Sequence, residues 1–432
     1  MKIRIGHQLI SVTGTIPILS STLIMIAFTL YHSWKFVPLF YIGLLGMLLC
    51  WIVMPVEKLL QLAFLLAPNI MAIKLSHDSS ALYGYFFILI FLKYAFLHQK
   101  VRIKIPFLLF LVSLFVTAIT YSEYTLILTT IRCFLFFVAI YTIFNENWSK
   151  DLTYRASLIR SYICGVALCV LCGFVHYILA QRNIFSGYFS GINNGRNFFS
   201  SLLSCGIAAT LVYISRSKQS NTSYKVAIVL MLFAGILSNS RTFLASLCFI
   251  LLLIVSMLSK RKMRHTVLQF GLIIIASFLL FGDSILPSLE KVLNRFTQDD
   301  VSGGNGRFAA WGYFIKKATS SPWRFLFGNG LALKYVNLGE VDVVEHNSIV
   351  ELFSTSGLIG TIITCFCFFH VYRVAVISRA NFRITDFVPL LCSMTCYFML
   401  SAMFSDIFNF SLLISLLVAD YNCRMRAGKP NT

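Results

Sequence analysis

The sequence predicts an all-α integral membrane protein of about 14 transmembrane helices (12–14 if the shortest runs are discounted), with one long loop on its outer side. Three observations carry that expectation. Hydrophobic residues fill 58% of the 432 positions and charged residues only 12%, against roughly 25% charge in a soluble globular chain. Apolar runs of about 20 residues recur from one end to the other, separated by short polar breaks. Lys and Arg also concentrate in every second break, the pattern that a multipass protein inherits from the positive-inside rule. Soluble domains, coiled coils and nucleic-acid readers are excluded together.

Helices are required because unpaired backbone cannot face lipid. The first span, 9–30, follows Lys2 and Arg4. It is too long for the apolar core of a signal peptide and has no small-residue cleavage site, so it is expected to be retained. Spans 36–54, 59–73 and 81–97 lead to the basic break Lys100, Arg102, Lys104. Spans 105–120 and 125–144 lead to Lys150 and Arg155, and 158–180 and 198–214 to Arg216 and Lys218. Next come 226–240 and 242–258, closed by Lys260, Arg261, Lys262 and Arg264. Span 266–282 runs into the long outer loop, and 347–372 ends at Arg373, Arg379 and Arg383. The last pair, 387–404 and 408–420, ends at Arg424, Arg426 and Lys429. Both termini are therefore expected in the cytoplasm.

This alternation absorbs most of the net charge of +20. A polyanion partner for the inner clusters is the weaker reading. The twelve cysteines fall in apolar runs or, for Cys423, in the tail. None lies in the long loop, so they are read as small packing residues and not as a disulfide framework. Four regions result: N-terminal helices over 1–180, central helices with outer-face Arg motifs over 181–282, the large loop over 283–346, and C-terminal helices with the tail over 347–432. No internal repeat is visible, which weakens an inverted-repeat transporter.

Function is expected in the outer loops, because a connection far above the usual length is uncommon unless it works as a lid or a site. In the long one, Lys291, Arg295, Arg307, Lys316, Lys317, Arg324 and Lys334 balance Asp283, Glu290, Asp299, Asp300, Glu340, Asp342 and Glu345. A net-neutral loop is no basic patch, so its residues are weighed singly.

Four constellations share the outer face. Ser238-Asn239-Ser240-Arg241-Thr242 pins a guanidinium at the membrane boundary, which calls either for an anion or for snorkelling to lipid headgroups. Asn193-Asn194-Gly195-Arg196-Asn197 opens a span, where Arg and free helix N–H groups face outward and suit an anion; plain turn chemistry reads the same residues equally well. Ser302-Gly303-Gly304-Asn305-Gly306-Arg307, then Trp311, then Phe327-Gly328-Asn329-Gly330, combine Gly-rich flexibility with an Arg and a sugar-stacking ring at i, i+4. This is no P-loop, since Gly-Lys-Ser/Thr is absent. Glu345-His346-Asn347 precedes the span 347–372, with Glu351 one turn in and Gly357 and Gly360 beyond. His346 suits a base near neutral pH or a helix cap. Arg132, inside 125–144, is a functional candidate by its position alone, paired with a lipid phosphate, Glu123 or Asp406.

Ser-Arg-Thr, Gly-Arg-x-x-x-Trp, Phe-Gly-Asn-Gly and His-Asn followed by Gly-Leu-Ile-Gly, in that order around one outer loop, resemble the O-antigen polymerase and O-antigen ligase superfamily. The resemblance spans roughly residues 190–365; the first 180 residues share only hydropathy with it. It implies a Gram-negative inner-membrane glycosyltransferase of GT-C-like helical architecture with a periplasmic active site. The implied donor is an undecaprenyl-diphosphate-linked oligosaccharide, with neither a cofactor nor a metal; membrane lipids surround it, and a chain-length regulator is a further partner to look for. On this likeness Arg241, Arg307 and His346 match the family's motifs, and Arg196 matches more loosely. Ser-Arg followed by Thr-Phe, with Gly-Arg directly upstream of Trp, is more similar to polymerases than to ligases, in which Ser-Arg-Gly is commoner.

The chemistry of the residues agrees with that class. Displacing a lipid diphosphate from an anomeric carbon needs a counter-charge for the departing anion and a base for the acceptor hydroxyl. Arg196, Arg241 and Arg307 supply the first, with Trp311 and Arg132 as further substrate contacts. His346, or Glu345 beside it, supplies the second. The outer loop carries no Asp-x-Asp and no His/Cys/Asp cluster, so guanidinium groups take the place of Mg²⁺. A polysaccharide flippase remains the alternative from another class; it would place charges along a central path.

Overall fold

A computed structural model of the chain describes residues 2–5, 8–75, 82–98, 101, 103–121, 124–145, 151–185, 189–192, 195–216, 222–257, 290, 307–330, 336–337, 342–343, 347–377, 391 and 406–427. Among these, helices carry the architecture. The strands are two short antiparallel pairs, β1 (Lys2–Ile5) with β2 (Gln8–Ser11) and β3 (Val336–Asn337) with β4 (Asp342–Val343).

Before the long loop come α1 (Val12–Trp34), α2 (Val37–Val53), α3 (Val56–Leu66), α4 (Tyr83–His98), α5 (Ile105–Thr120), α6 (Tyr124–Asn145), α7 (Leu152–Leu179), α8 (Arg196–Arg216), α9 (Thr222–Leu237) and α10 (Arg241–Met257). The loop contributes α11 (Arg307–Ala318) and α12 (Pro322–Phe327), and α13 (Ser348–Tyr372) and α14 (Asp406–Ala427) follow. Five segments are long and apolar enough to cross a membrane: Thr15–Trp34, Leu126–Phe144, Leu152–Leu179, Arg196–Arg216 and Ser348–Ala375. Val37–Val53, Tyr83–Leu97, Ile105–Thr120, Thr222–Leu237 and Arg241–Leu251 are apolar but shorter. The expected span 266–282 lies outside the described residues, as does 387–404 apart from Leu391.

One expected span takes a different form. The run 59–73 divides into α3 and a 3-10 segment, Ala67–Ala72, with a proline as its second residue. Pro68 brings no N–H to a helical ladder, and Asn69 (φ −106, ψ 18) leaves the helical region. Leu59, Leu62, Ala63, Phe64 and Leu66 are fully buried, so α3 is a short core helix and not a lipid-facing one. It approaches α7 closely enough that a Cβ on Gly165 would stand 2.3 Å from the Leu65 carbonyl oxygen. Such close backbone contact suits a membrane interior, where packing replaces the hydrophobic drive between helices.

Two helices are buried all round and form the axis of the bundle: α8, with every residue from Phe199 to Tyr213 buried, and α14, with every residue from Phe410 to Cys423 buried. Phe410 meets Phe64, Tyr83 and Phe87 edge to face at 5.0, 5.4 and 5.5 Å. Six of the cysteines, Cys133, Cys169, Cys172, Cys205, Cys367 and Cys423, are likewise buried among the helices.

At one end of the bundle, three basic breaks far apart in sequence meet. Arg155 at the start of α7 forms an ion pair with Asp420 of α14, and both side chains are buried. Arg424 Nε donates to both Asp420 carboxylate oxygens at 3.1 Å. Arg216 Nε, at the end of α8, donates to Asn422 Oδ1 at 2.8 Å. Lys93 Nζ donates to the carbonyls of Trp51, Ile52 and Met54, which close α2. The alternation of loops demands that Arg155, Arg216 and Arg424 share one end, and they do.

Candidate functional site

The opposite end gathers the outer motifs. α9 and α10 are joined by a three-residue reversal, Ser238–Ser240, in which Asn239 takes a left-handed conformation (φ 51), one that Asn tolerates better than most residues. Arg241 is then the first residue of α10. The reversal is held by Asn197, the second residue of α8. Its Oδ1 accepts from the Ser240 hydroxyl at 3.1 Å and from the Thr242 hydroxyl at 3.2 Å, and those two hydroxyls bond each other at 2.7 Å. Deeper along the same pair of helices, the Ser204 and Ser246 hydroxyls meet at 2.5 Å. One turn motif thus docks on another, and the N-termini of α8 and α10 stand side by side.

Arg307 reaches the same place from the long loop. It opens α11, is half-buried, and is held below the usual guanidinium range first by burial and then by the charge of Arg241. α11 rests on the first turns of α13 through Ala310 and Phe314, which are buried against Tyr313 and Val350. Trp311 lies one turn after Arg307, half-buried, with its ring edge to face against Phe308 at 5.2 Å.

Arg196, Arg241 and Arg307 are each the first residue of a helix. A cation at a helix N-terminus adds to the positive end of the macrodipole instead of offsetting it, at a cost of about 0.3–1 kcal/mol each at exposed sites. Three such positions, two of them within electrostatic reach of each other, make a concentrated positive field. An anion with several oxygens would relieve it, and guanidinium forks together with helix N–H groups provide the matching donors.

The Phe327-Gly328-Asn329-Gly330 motif plays a part that its glycines do not announce. α13 breaks at Gly357 (φ 63, ψ −169), which deprives the carbonyls of Ser354 and Thr355 of their helical donors. Backbone N–H groups from the motif take those places, Asn329 to Ser354 at 2.7 Å and Gly330 to Thr355 at 3.0 Å. From α5, the Thr117 hydroxyl donates to the Phe327 carbonyl at 2.6 Å and the Tyr121 hydroxyl to the Gly328 carbonyl at 2.9 Å. A Cβ on Gly328 would lie 2.2 Å from the Thr355 oxygen. The expected flexibility does not extend to this motif, which is a lock between the loop, α5 and α13.

Of the residues singled out from sequence, the structure sets Arg241 and Arg307 within electrostatic reach of each other and Arg196 one residue from the Asn197 bridge. Arg132 stands eight residues into α6, roughly 12 Å along the helix at 1.5 Å per residue, half-buried. Glu345 and His346 lie outside the described residues, as do Ser302–Gly306 and Glu123. Asn347, next to them, is the N-cap of α13, its Oδ1 accepting from Ile349 N at 2.9 Å and Val350 N at 3.3 Å. Glu351 is buried in the first turn behind it. Sequence reasoning missed the Asn197 bridge and the contribution of α5 to the lock. Asn197 closes the motif that contains Arg196, but nothing local in the sequence names its partners in the α9–α10 reversal. Among the described residues, no group of three His, Cys, Asp or Glu side chains could hold a metal.

Residues 226–365 match the family model described as O-antigen ligase. The matched stretch contains Arg241, Arg307, Trp311, the lock motif and Gly357, while Arg132 and Arg196 lie outside it. The match supports the O-antigen polymerase and ligase superfamily. It suggests a glycosyltransferase-like enzyme of a bacterial membrane, acting in the assembly of O-antigen or a related polysaccharide. No curated protein matches the chain.

Proposed function

We propose, with that superfamily as premise, that this protein is a polymerase that joins undecaprenyl-diphosphate-linked repeat units on the periplasmic face of the inner membrane. The observation that carries the reading is that Arg241 and Arg307, half-buried guanidinium groups that each open a helix in separate motifs, lie within electrostatic reach of each other. Two like charges within electrostatic reach in a partly desolvated place fit a doubly charged ligand, and a diphosphate is one.

In this mechanism Arg241 and Arg307, with Arg196 beside them, hold the donor diphosphate. Trp311 stacks on a sugar ring one helical turn from Arg307, and Arg132 meets substrate or lipid phosphate deeper in the membrane. The acceptor hydroxyl oxygen attacks the anomeric carbon, the bond from that carbon to the phosphate oxygen breaks, and undecaprenyl diphosphate departs with the electron pair. His346 takes the hydroxyl proton, with Glu345 and Glu351 as the competing carboxylates. Neutral imidazole suits this place better than a carboxylate, which would repel the leaving anion.

Ligase activity, transfer of the glycan to lipid A core, is the second reading, favoured by the description of the matched family. Lipopolysaccharide ladders from a deletion strain separate the two. Core bearing a single repeat supports the polymerase. Bare core overturns it in favour of the ligase, or of a flippase if repeats are stranded on the cytoplasmic side.

A further inference from the structure

At the end of the bundle away from the arginine site, α1, α3, α7 and α9 surround a cleft of about 610 Å³. Its chemistry differs from the apolar surface around it. α7 presents Thr153, Ser157, Arg160 and Ser161 to it, α3 presents Lys58 and Gln61, and Tyr224 closes the α9 side. We propose that this cleft binds the phosphate-bearing headgroup of a membrane phospholipid from the leaflet at that end.

Two cations face the space. Arg160 makes no hydrogen bond or ion pair among the described residues. Lys58 Nζ is held by one neutral contact, to Gln61 Oε1 at 3.2 Å. Gln61 Nε2 in turn donates to the Ser157 hydroxyl at 2.8 Å, and Ser157 donates to the Tyr154 carbonyl at 2.6 Å. The wall that carries Lys58 is therefore braced before any ligand arrives, which lowers the ordering cost of binding. The one carboxylate in the lining, Asp151, stands at the exposed rim and accepts from the Thr153 N–H at 2.9 Å and the Thr153 hydroxyl at 2.5 Å. The net field within is positive, and the Ser161 hydroxyl adds a donor suited to a phosphate oxygen, those of Thr153 and Ser157 being already engaged.

The surroundings point to a lipid and not to a soluble phosphate. Pro17 and Ile18 of α1 form the apolar wall of the cleft. From there Ile16, Leu19, Leu23 and Ile26, exposed and spaced by three and four residues, continue along one stripe of α1. A headgroup seated between Lys58 and Arg160 can lay an acyl chain on that stripe, as an amphipathic ligand requires.

Native mass spectrometry of the full-length, detergent-purified protein tests the proposal with dioleoyl phosphatidylglycerol, dioleoyl phosphatidylethanolamine and phosphate-free dioleoylglycerol as probes. The expected result is retention of the phospholipids over dioleoylglycerol, undisturbed by millimolar inorganic phosphate. Lys58→Gln/Arg160→Gln should weaken that retention by roughly ten- to thirtyfold, the size expected for two basic contacts at a membrane surface. Ser161→Trp, which fills the cleft without touching its charge, should weaken it as well. Lys225→Gln, one residue beyond the lining, should leave it unchanged, and thermal unfolding of each variant confirms a folded chain. Equal retention by wild type and the folded double variant overturns the proposal, as does equal retention of dioleoylglycerol. Displacement by inorganic phosphate reassigns the cleft to a soluble anion.

Discussion

Substituting Gly328 by Ala should loosen the outer site by breaking the lock beneath it. Gly328 has φ 80 and ψ −166, in a region essentially reserved for glycine, and holding alanine there costs about 1–3 kcal/mol. The added Cβ would meet the Thr355 oxygen at 2.2 Å and the Gly357 nitrogen at 2.6 Å. Both are backbone atoms, so relief requires separating the loop from α13. That separation stretches the bonds Asn329 N to Ser354 O and Gly330 N to Thr355 O, each contributing about 0.5–1.5 kcal/mol. The total is about 2–6 kcal/mol, from one methyl group. Thermal unfolding of the purified protein in detergent measures it, with Gly312→Ala as the control. Gly312 sits inside α11 with nothing within 4 Å of its would-be Cβ, so alanine there should be neutral or stabilise by about 0.5–1 kcal/mol. If Gly328→Ala unfolds at the wild-type temperature, the lock carries no stability. If it does so while turnover is lost, the motif acts on substrate and not on the scaffold.

Arg241→Lys and Arg307→Lys should fold and lose most polymerisation, because Lys keeps the charge but not the planar fork; wild-type rates in purified enzyme would reduce the pair to general positive potential. His346→Ala should retain donor-lipid binding and lose turnover by a factor on the order of 10² or more; normal turnover there, with Glu345→Gln or Glu351→Gln inactive, would move the base to a carboxylate. Asp420→Asn should destabilise by about 3–5 kcal/mol, since it leaves the buried Arg155 without its carboxylate, while Arg155→Leu/Asp420→Leu should recover most of that loss; detergent unfolding of the single and double variants checks both. A single cysteine at position 305 should be labelled from the periplasm and one at 262 from the cytoplasm only, and periplasmic labelling at 262 would invert the topology.

What the sequence made legible is whatever repeats within a window of about 20 residues. Runs such as 105–120 returned as α5 with the same bounds, because apolar length and polar breaks are local properties. The run 59–73 reads as a span by hydropathy although Pro68 and Asn69 stand within it, because hydropathy alone does not separate a core helix from a lipid-facing one. Arg155 carried a topology signal that its position honours, yet its ion pair with Asp420 joins residues 265 positions apart and leaves no local trace. The outer motifs were legible as types in an order. Their meeting was not, since the partner of Arg241 lies in a different helix and the carbonyls that receive Asn329 and Gly330 exist only because α13 breaks at Gly357.

That break also fixes a height. Counting from Gly357 to the end of the helical stretch at Ile377 leaves about 20 residues, roughly 30 Å at 1.5 Å per residue, the thickness of a hydrocarbon core. The portion from Ser348 to Ser356 is the surplus over that length, held by the lock where Tyr121 ends α5. The lower part of α13 therefore serves as a gauge post, and the loop clipped to its upper part carries Arg307 at a set distance along the helix axis. One residue inserted below Gly357 would raise that mount by about 1.5 Å and turn it by about 100°, swinging Arg307 away from Arg241 without altering a single residue of the site.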